Sequence, residues 1–341
     1  MEPVKPVITK IDQVCIGTDH FDETVPRMAR LLGIEAFKCW DFVYPNLVAT
    51  RINGASAEWC MKLGIARIGR MSIEVVQIWH GGQFGTDPHC INSIGIDHLR
   101  VETGASFRNN LERFSGIGCN PKLQAEIVVP VKLGPVTIPR ISSMGLNLAY
   151  LSRTPELPLN LEISAPMLPS THDMAIDLGR ADYYFAADGL RYKSPKDIRS
   201  TLAIGLSGIA VAADRPADTQ QFLQRNLGLT QWTSDLPWNG EGGLSDASVC
   251  ATVKGFSLGF VASSLPWPGN SANKQAVVLS TAGAIDATVG RCVELGCRLL
   301  HQGKDAGGAD FAIVDAMQTF KTDLVLTAST RPSLKKRRNT V

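Results

Sequence analysis

A strand-and-helix unit occurs four times along the 341 residues of the chain, and this repetition restricts the folds open to it. Each unit begins with a β-branched apolar stretch, continues through polar residues and then shows apolar residues at helical spacing up to a glycine. First strands are predicted at 7–17, 94–102, 203–212 and 274–280, with helices ending at or near Gly33, Gly116, Gly228 and Gly296. Such a repeat determines the architecture before any single element is assigned.

Short β-rich stretches separated by Gly and Pro turns follow each helix, so the unit is βαβββ. After the first helix these stretches are predicted at 36–44, 47–52, 58–66 and 71–79. One unit alone would leave sheet edges exposed, whereas two units side by side form an eight-stranded, incompletely closed barrel, or cup. The predicted fold is therefore α+β, with four βαβββ modules forming two open eight-stranded barrel-like cups.

The domain organisation follows from this repeat. Residues 1–168 are predicted to form one cup and residues 203–330 a degenerate copy, with 169–202 as the connection and 331–341 as a solvated basic tail. Tyr183 and Tyr184 indicate that part of the connection packs against the protein.

Composition excludes several classes of protein. The 34 Lys and Arg nearly balance the 32 Asp and Glu, which argues against a nucleic-acid binder. No apolar run reaches the roughly 18–20 residues of a membrane span, and the N-terminus lacks the apolar stretch of a signal peptide. The eight cysteines form no CxxC pair and lie mostly in apolar runs, as expected for reduced thiols in a cytoplasmic protein.

Polar residues occur at equivalent places in the first two units. Gln13 and His98 lie on the two first strands, 20 and 18 residues before the glycines that end the helices. Glu74 and Glu162 lie on the two last strands, MSIEVVQIW and LNLEISAP. Because a pseudo-two-fold axis brings equivalent strand positions together, the first cup should gather an imidazole, an amide oxygen and two carboxylates.

This combination predicts a metal site. Two carboxylates inside a barrel would repel each other and take up protons unless a cation lies between them. Nitrogen and oxygen ligands without thiolate fit Zn²⁺, Ni²⁺, Co²⁺, Mn²⁺ or Fe²⁺, and four ligands leave two positions open on an octahedral ion. Taken singly, each residue has an ordinary alternative: a half-buried His98, or outward-facing Glu74 and Glu162. The prediction depends on their co-location in the repeat.

The equivalent positions of the second half are Gly208, Gly259, Gln275 and Val325. One amide oxygen cannot hold a divalent ion, so this cup is predicted to be metal-free and to pack against the first as a structural partner. Three tryptophans are candidates for that contact, for covering the cup or for ordinary core packing: Trp232, Trp238 and Trp267.

The stretches IDQVCIGT, LLGIE, SIEVVQ, GIDHLRVE and LNLEISAP together resemble the vicinal oxygen chelate superfamily. This superfamily includes glyoxalase I, methylmalonyl-CoA epimerase, fosfomycin-resistance proteins and extradiol dioxygenases. The resemblance covers about 1–168, and 203–330 as a degenerate copy. It implies a divalent metal ion held by residues on the first and last strands of each module: Gln13, Glu74, His98 and Glu162.

The Gln/Glu/His/Glu set is similar to that of glyoxalase I and, less closely, methylmalonyl-CoA epimerase, which both move a proton next to a carbonyl. The resemblance therefore implies a metal-dependent lyase or isomerase that acts on a small carbonyl compound through a metal-stabilised enolate or enediolate. Glu162 is the expected base, with Glu74 as its symmetry mate. Two alternatives stay open, a ring-cleaving dioxygenase and a non-catalytic ligand-binding protein. Extradiol dioxygenases use two histidines, and Gln13 takes the place of one.

Substrate recognition is less determined by the sequence. The arginines that hold glutathione in glyoxalase I correspond to Gly17 and Ile94, so glutathione is not expected. Arg100 lies two residues after His98 on the same strand face and is the predicted binding residue for a substrate anion, the alternative being a rim pair with Glu102. The expected assembly is a monomer or a homodimer.

Overall fold

A computed structural model describes residues 7–85, 89–128, 131–133, 136–138, 145–166, 181–200, 204–233, 248–264, 267, 274–281, 285–305 and 308–328. In the first half the elements are β1 (Lys10–Gly17), α1 (Phe21–Leu32), β2 (Ala36–Phe42), β3 (Leu47–Ile52), β4 (Ala55–Ser56), β5 (Trp59–Ile68), β6 (Met71–His80), β7 (Gly95–Glu102), α2 (Phe107–Ser115), β8 (Pro121–Val128), β9 (Val131–Leu133), β10 (Val136–Ile138), β11 (Gly145–Leu151) and β12 (Asn160–Pro166).

The remaining elements are β13 (Tyr183–Ala186), β14 (Arg191–Tyr192), β15 (Ile204–Ala213), α3 (Pro216–Leu227), β16 (Trp232–Thr233), β17 (Ser248–Val253), β18 (Phe256–Ala262), β19 (Gln275–Thr281), α4 (Ile285–Glu294), β20 (Arg298–Lys304), β21 (Asp310–Asp315), α5 (Met317–Phe320) and β22 (Asp323–Ala328). The protein is thus a strand-rich α+β molecule. None of the helices in these ranges combines the length and apolar character that crossing a membrane requires.

The first helix forms where the apolar spacing predicts it. Val25, Met28 and Leu32 of α1 are fully buried, because they share the helix face that packs on the sheet. Gly33 ends the helix in the left-handed conformation at φ 63°, which glycine adopts without steric cost.

The first sheet has more strands than predicted. Its order is β14-β13-β2-β5-β6-β1-β7-β12-β11-β8-β3-β4, twelve strands instead of eight. Eight strands, from β2 to β8 in this order, form the middle of the open sheet, and β14, β13, β3 and β4 extend its edges. Of these four, β3 matches the stretch predicted at 47–52. β13, from the predicted connection, pairs with β2, and Tyr183 within it is buried. At the other edge β3 pairs with β8. These additions cover strand edges that would otherwise expose unpaired backbone groups.

The second sheet has the predicted eight strands, in the order β16-β17-β18-β15-β19-β22-β21-β20, and it is open as well. One apolar core contains residues of both sheets, from Val14 and Phe37 to Ile209 and Leu279. Each sheet also has a smaller apolar cluster of its own, around Met61 and Tyr150 in the first and around Ala210 and Phe311 in the second.

The two halves contact each other close to the predicted metal site. Gln275 Oε1 accepts a hydrogen bond from the Ile96 backbone at 2.9 Å, two residues before His98. Arg27 of α1 donates to the Gln318 carbonyl of α5 at 3.1 Å. The domain limits stay predictions, and Trp238 and the basic tail lie outside the described residues.

The other two tryptophans bond within the second half. Trp232 Nε1 donates to the Leu229 carbonyl, and Trp267 Nε1 donates to Asp323 at 2.9 Å.

Candidate metal centre

Four adjacent strands at the middle of the first sheet, β6-β1-β7-β12, carry the predicted ligands. Gln13 lies opposite Arg100 between β1 and β7, and Glu162 of β12 lies opposite Arg100 on its other side. Because side chains alternate along a strand, Gln13 and His98 share one face of the sheet, while the residues that follow them face the large core. The strand register therefore brings the four side chains to one place.

The four predicted ligands are in contact and buried. His98 Nε2 lies 3.6 Å from Glu74 Oε1 and 3.1 Å from Glu162 Oε2. Gln13 Nε2 donates to Glu74 Oε2. None of the four residues is more than 3% exposed. The structure thus joins residues that are up to 149 positions apart in the chain into one polar group inside an apolar interior.

Each of these side chains has one polar atom without a hydrogen bond. Among the described residues, six buried side-chain nitrogen or oxygen atoms lack such a partner, and four of them are Gln13 Oε1, Glu74 Oε1, His98 Nε2 and Glu162 Oε2. Leaving a buried polar atom unsatisfied costs about 1–3 kcal/mol. A proton on His98 would pair Nε2 with Glu162 Oε2 at 3.1 Å, but Gln13 Oε1 and Glu74 Oε1 would stay unsatisfied. A divalent cation satisfies all four, and the donor set fits one.

Asp97 orients the imidazole. Asp97 Oδ2 lies 2.8 Å from His98 Nδ1, and Asp97 Oδ1 accepts from the Ser93 backbone at 2.5 Å. With its Nδ1 proton donated to Asp97, His98 directs Nε2 at the two glutamates, and a metal ion bound between them would take the Nε2 lone pair in place of a proton. This pairing of a carboxylate with a ligand histidine fixes both the tautomer and the ring orientation at metal sites.

Two β-bulges between β1 and β7 place equivalent aspartates beside the site. The register shifts between Ile11 and Gln13 leave Asp12 as an extra residue, and the shift at Cys15 and Ile16 does the same for Asp97. An extra residue escapes the usual alternation, which lets each aspartate reach the face of the site. Asp97 then holds His98, and Asp12 holds Arg100.

Arg100 lies on the face of the metal centre but its charge is paired. Its Nε donates to Asp12 Oδ1 at 2.8 Å, and the residue is only 6% exposed. Glu102 bonds instead to Lys10 at 3.0 Å, so the alternative rim pair of Arg100 with Glu102 is not formed. Burial alone would raise the pKa of Asp12, but the guanidinium outweighs this and lowers it. The substrate-binding role of Arg100 stays a prediction.

The surroundings of His98 and Glu74 favour their protonated forms. Burial opposes a charged imidazole, but the hydrogen bond to Asp97 and the charge of Glu162 outweigh it and raise the pKa of His98 to about 10. Burial and the Glu162 carboxylate raise the pKa of Glu74 to about 7. A metal ion therefore competes with protons for these side chains.

Cys15 and Tyr150 also lie at the centre, and neither was predicted from the sequence. Cys15 Sγ, a Glu74 oxygen and a His98 nitrogen all lie within 4.8 Å of one another. The Tyr150 ring is centred 4.4 Å from the His98 ring, and burial, followed by the charge of Glu74, raises the pKa of its hydroxyl. The alternation of side chains along the strands could have indicated both residues. Cys15 is two residues after Gln13 and so shares its face, and Tyr150 lies opposite Glu162.

The second sheet corrects one predicted equivalence. Cys15 lies opposite Glu74 and His98 in the first sheet, and Ala210 lies opposite Gly259 and Ala276 in the second. His98 therefore corresponds to Ala276, not to Gln275. Ala276 lies 20 residues before Gly296, the spacing of Gln13 before Gly33, whereas Gln275 lies 21 before it. Ala210, Ala276 and Val325 all belong to one apolar cluster.

Comparison with known proteins gave structural likenesses only. No protein-family model and no curated protein matches the chain. Solved structures that it resembles include a catechol 2,3-dioxygenase, at 13% identity over 96% of this chain and 90% of that one, with a TM-score of 0.47. The 2,3-dioxygenase LapB from Pseudomonas sp. KL28 is 7% identical over 96% of this chain and 94% of that one, with a TM-score of 0.48. A variant of 4-hydroxymandelate synthase from Streptomyces coelicolor is 11% identical over 96% of this chain and 94% of that one, with a TM-score of 0.48.

Because the TM-scores lie below 0.5, the function proposed next rests on this chain's own residues and geometry.

Proposed function

We propose that the protein is a divalent-metal-dependent lyase or isomerase that moves a proton at a carbon next to a carbonyl group. The observation that carries this proposal is the convergence of four unpartnered donor atoms, from Gln13, Glu74, His98 and Glu162, at one buried point. Two carboxylates among them can offset the charge of a divalent ion, and their oxygens can also accept a proton.

Each residue has a role in this proposal. A divalent ion, when bound, acts as a Lewis acid that makes the neighbouring C–H bond of a carbonyl compound more acidic. Glu162 accepts that proton at its carboxylate, and Glu74 is the symmetry mate on the other strand pair. Asp97 keeps His98 in the tautomer that offers Nε2. The apolar side chains around Met61 and Tyr150 exclude water from the reacting carbon.

The substrate is proposed to be a small carbonyl compound, and Arg100 the residue that attracts an anionic group on it. The protein is proposed to act as a monomer or homodimer, without nucleic acid or membrane. Its eight cysteines are not joined in disulfides, which supports a reducing, cytoplasmic location. We also propose that the element order reflects four βαβββ modules.

A ring-cleaving dioxygenase is the second candidate. Imidazole and carboxylate donors also suit Fe²⁺, and a histidine with two glutamates is present here. Gln13 favours the lyase or isomerase over the dioxygenase, because the usual oxygen-activating iron site has two histidines and one carboxylate, and an amide takes the place of one histidine here. The full set of donors counts against a non-catalytic binding protein.

Deuterium incorporation tests the proposal. The stripped protein is reloaded with Zn²⁺, Ni²⁺, Co²⁺, Mn²⁺ or Fe²⁺ and incubated in D₂O with a panel of hydroxyketones, ketoaldehydes and acyl thioesters, and exchange next to the carbonyl is followed by NMR. Exchange should require the metal and should be lost in Glu162→Gln. Glu112→Gln, on the surface of α2, is the matched control and should keep it.

Full exchange by metal-free protein would contradict the proposal. Oxygen uptake on catechols with Fe²⁺, without proton exchange, would favour the dioxygenase instead.

A further inference from the structure

Cys15 is a potential donor at the centre to which the proposed function assigns no role. Its side chain is fully buried, and its Sγ lies within 4.8 Å of a Glu74 oxygen and a His98 nitrogen. Cys15 is also the direct register partner of both residues, Glu74 on β6 and His98 on β7. We call these three residues the Glu74–Cys15–His98 rung.

The donors on both sides of the thiol are incompletely satisfied. Glu74 Oε1 is buried without a hydrogen bond, and His98 Nε2 has only the 3.1 Å contact with Glu162 Oε2. A thiol is only a weak hydrogen-bond donor and has a single proton, so it cannot satisfy two such atoms. An ion at the point they share would lie beside the sulfur as well.

The second sheet provides an internal comparison for the rung. The same three positions there are Gly259, Ala210 and Ala276. Ala210 and Ala276 pack in an apolar cluster, so this strand position does not need sulfur for packing. At these equivalent positions, the first sheet has the thiol together with the imidazole and the carboxylate, and the second sheet has none of the three.

We propose that Cys15 binds the divalent ion as a thiolate and makes the centre selective for zinc and cobalt over manganese and magnesium. This inference rests on the metal site of the proposed function. Forming the sulfur–metal bond releases the thiol proton to solvent and changes no oxidation state. Thiolate favours softer ions, whereas manganese and magnesium prefer carboxylates, carbonyls and water.

Cobalt spectroscopy on the full chain tests the assignment. Co²⁺ bound to thiolate gives a charge-transfer band in the near ultraviolet, which nitrogen and oxygen ligands do not give. The wild type loaded with one equivalent of Co²⁺ should show this band, and Cys15→Ser should bind Co²⁺ without it. Cys60→Ala, which removes another fully buried thiol, should leave the band unchanged.

Two further measurements keep the test decisive if Cys15→Ser folds poorly. X-ray absorption of the zinc-loaded wild type should show sulfur at about 2.3 Å beside shorter nitrogen and oxygen distances. Competition titrations of a folded Cys15→Ala variant should show the zinc-to-manganese affinity ratio falling by about 10-fold or more.

The outcomes separate this inference from the proposed function. Stoichiometric metal without a sulfur signal, or a cobalt band that survives in Cys15→Ser, would overturn the role of Cys15 and leave the metal site standing. Failure of the wild type to bind Zn²⁺ or Co²⁺ at all would overturn both.

Discussion

Asp97 sits in a β-bulge beside His98 and binds its Nδ1 at 2.8 Å. Consecutive residues of a regular strand point to opposite faces, so only the bulge allows this contact. Because the carboxylate fixes which nitrogen of His98 faces the glutamates, removing it should weaken the metal site.

Asp97→Ala is therefore expected to lower metal affinity by about 10- to 100-fold. The affinity is measured by competition with a chromophoric chelator. Asp310→Asn, an exposed aspartate paired with Lys304, is the control and should bind as the wild type does. An Asp97→Ala variant of wild-type affinity would show that the bulge does not support the centre.

Metal uptake should depend strongly on pH. Without a bound ion, the centre holds a proton on His98 below about pH 10 and a second one on Glu74 below about pH 7. Binding must expel these protons, and the Cys15 thiol proton as well when the sulfur binds the ion, so apparent affinity should fall as pH falls, by about 10-fold per unit for each proton displaced. The steeper dependence is expected below pH 7. Calorimetry in buffers of different ionisation enthalpy counts the protons, and a pH-independent affinity would contradict this account.

The Asp12–Arg100 pair should contribute to stability in a pH-dependent way. Arg100→Met leaves the buried Asp12 carboxylate with only the half-exposed Lys10 ammonium, at 3.3 Å, and is expected to lower the free energy of unfolding by about 3 kcal/mol near neutral pH. Because the folded pKa of Asp12 lies below its unfolded value, the contribution of this group is present above the unfolded pKa and lost as pH falls through the folded one. The deficit of the variant should therefore shrink in acid.

Urea unfolding of both proteins at neutral and acidic pH measures this difference. The double variant Asp12→Leu with Arg100→Met removes both charges and should recover most of the loss. If Arg100→Met alone were as stable as the wild type, the Asp12–Arg100 pair would not stabilise the fold.

Gln275 should support the centre without binding the ion. Gln275→Ala leaves the Ile96 N–H without its acceptor and is expected to lower the free energy of unfolding by about 1–3 kcal/mol. The metal content should stay at about one ion per chain. Loss of the metal in this variant, or two tightly bound ions in the wild type, would show that the metal centre had been assigned to the wrong half of the chain.

The repeat explains why much of the site could be predicted from the sequence. Equivalent strands bring equivalent positions together, so the contact among Gln13, Glu74, His98 and Glu162 could be predicted without coordinates, while their role as metal ligands stays a prediction. The aspartates were missed although the runs IDQV and IDHL carry them at matching places, because a bulge changes the direction of a side chain without changing the hydrophobic pattern.

Long-range strand pairing explains the other differences. The join of β13 to β2 links Tyr183 with Cys39, and no local pattern encodes such an edge pairing. The position of Gln275 was wrong by one residue, and the strand register identifies Ala276 as the equivalent of His98.

Metal analysis of the purified chain, stripped with chelator and reloaded, tests the central claim most directly. The wild type should retain about one divalent ion per chain after removal of excess metal. His98→Ala and Glu162→Ala, each confirmed as folded by circular dichroism, should retain almost none, while Glu112→Gln should match the wild type. A folded wild type without bound metal, or undiminished metal in the His98→Ala and Glu162→Ala variants, would contradict the account.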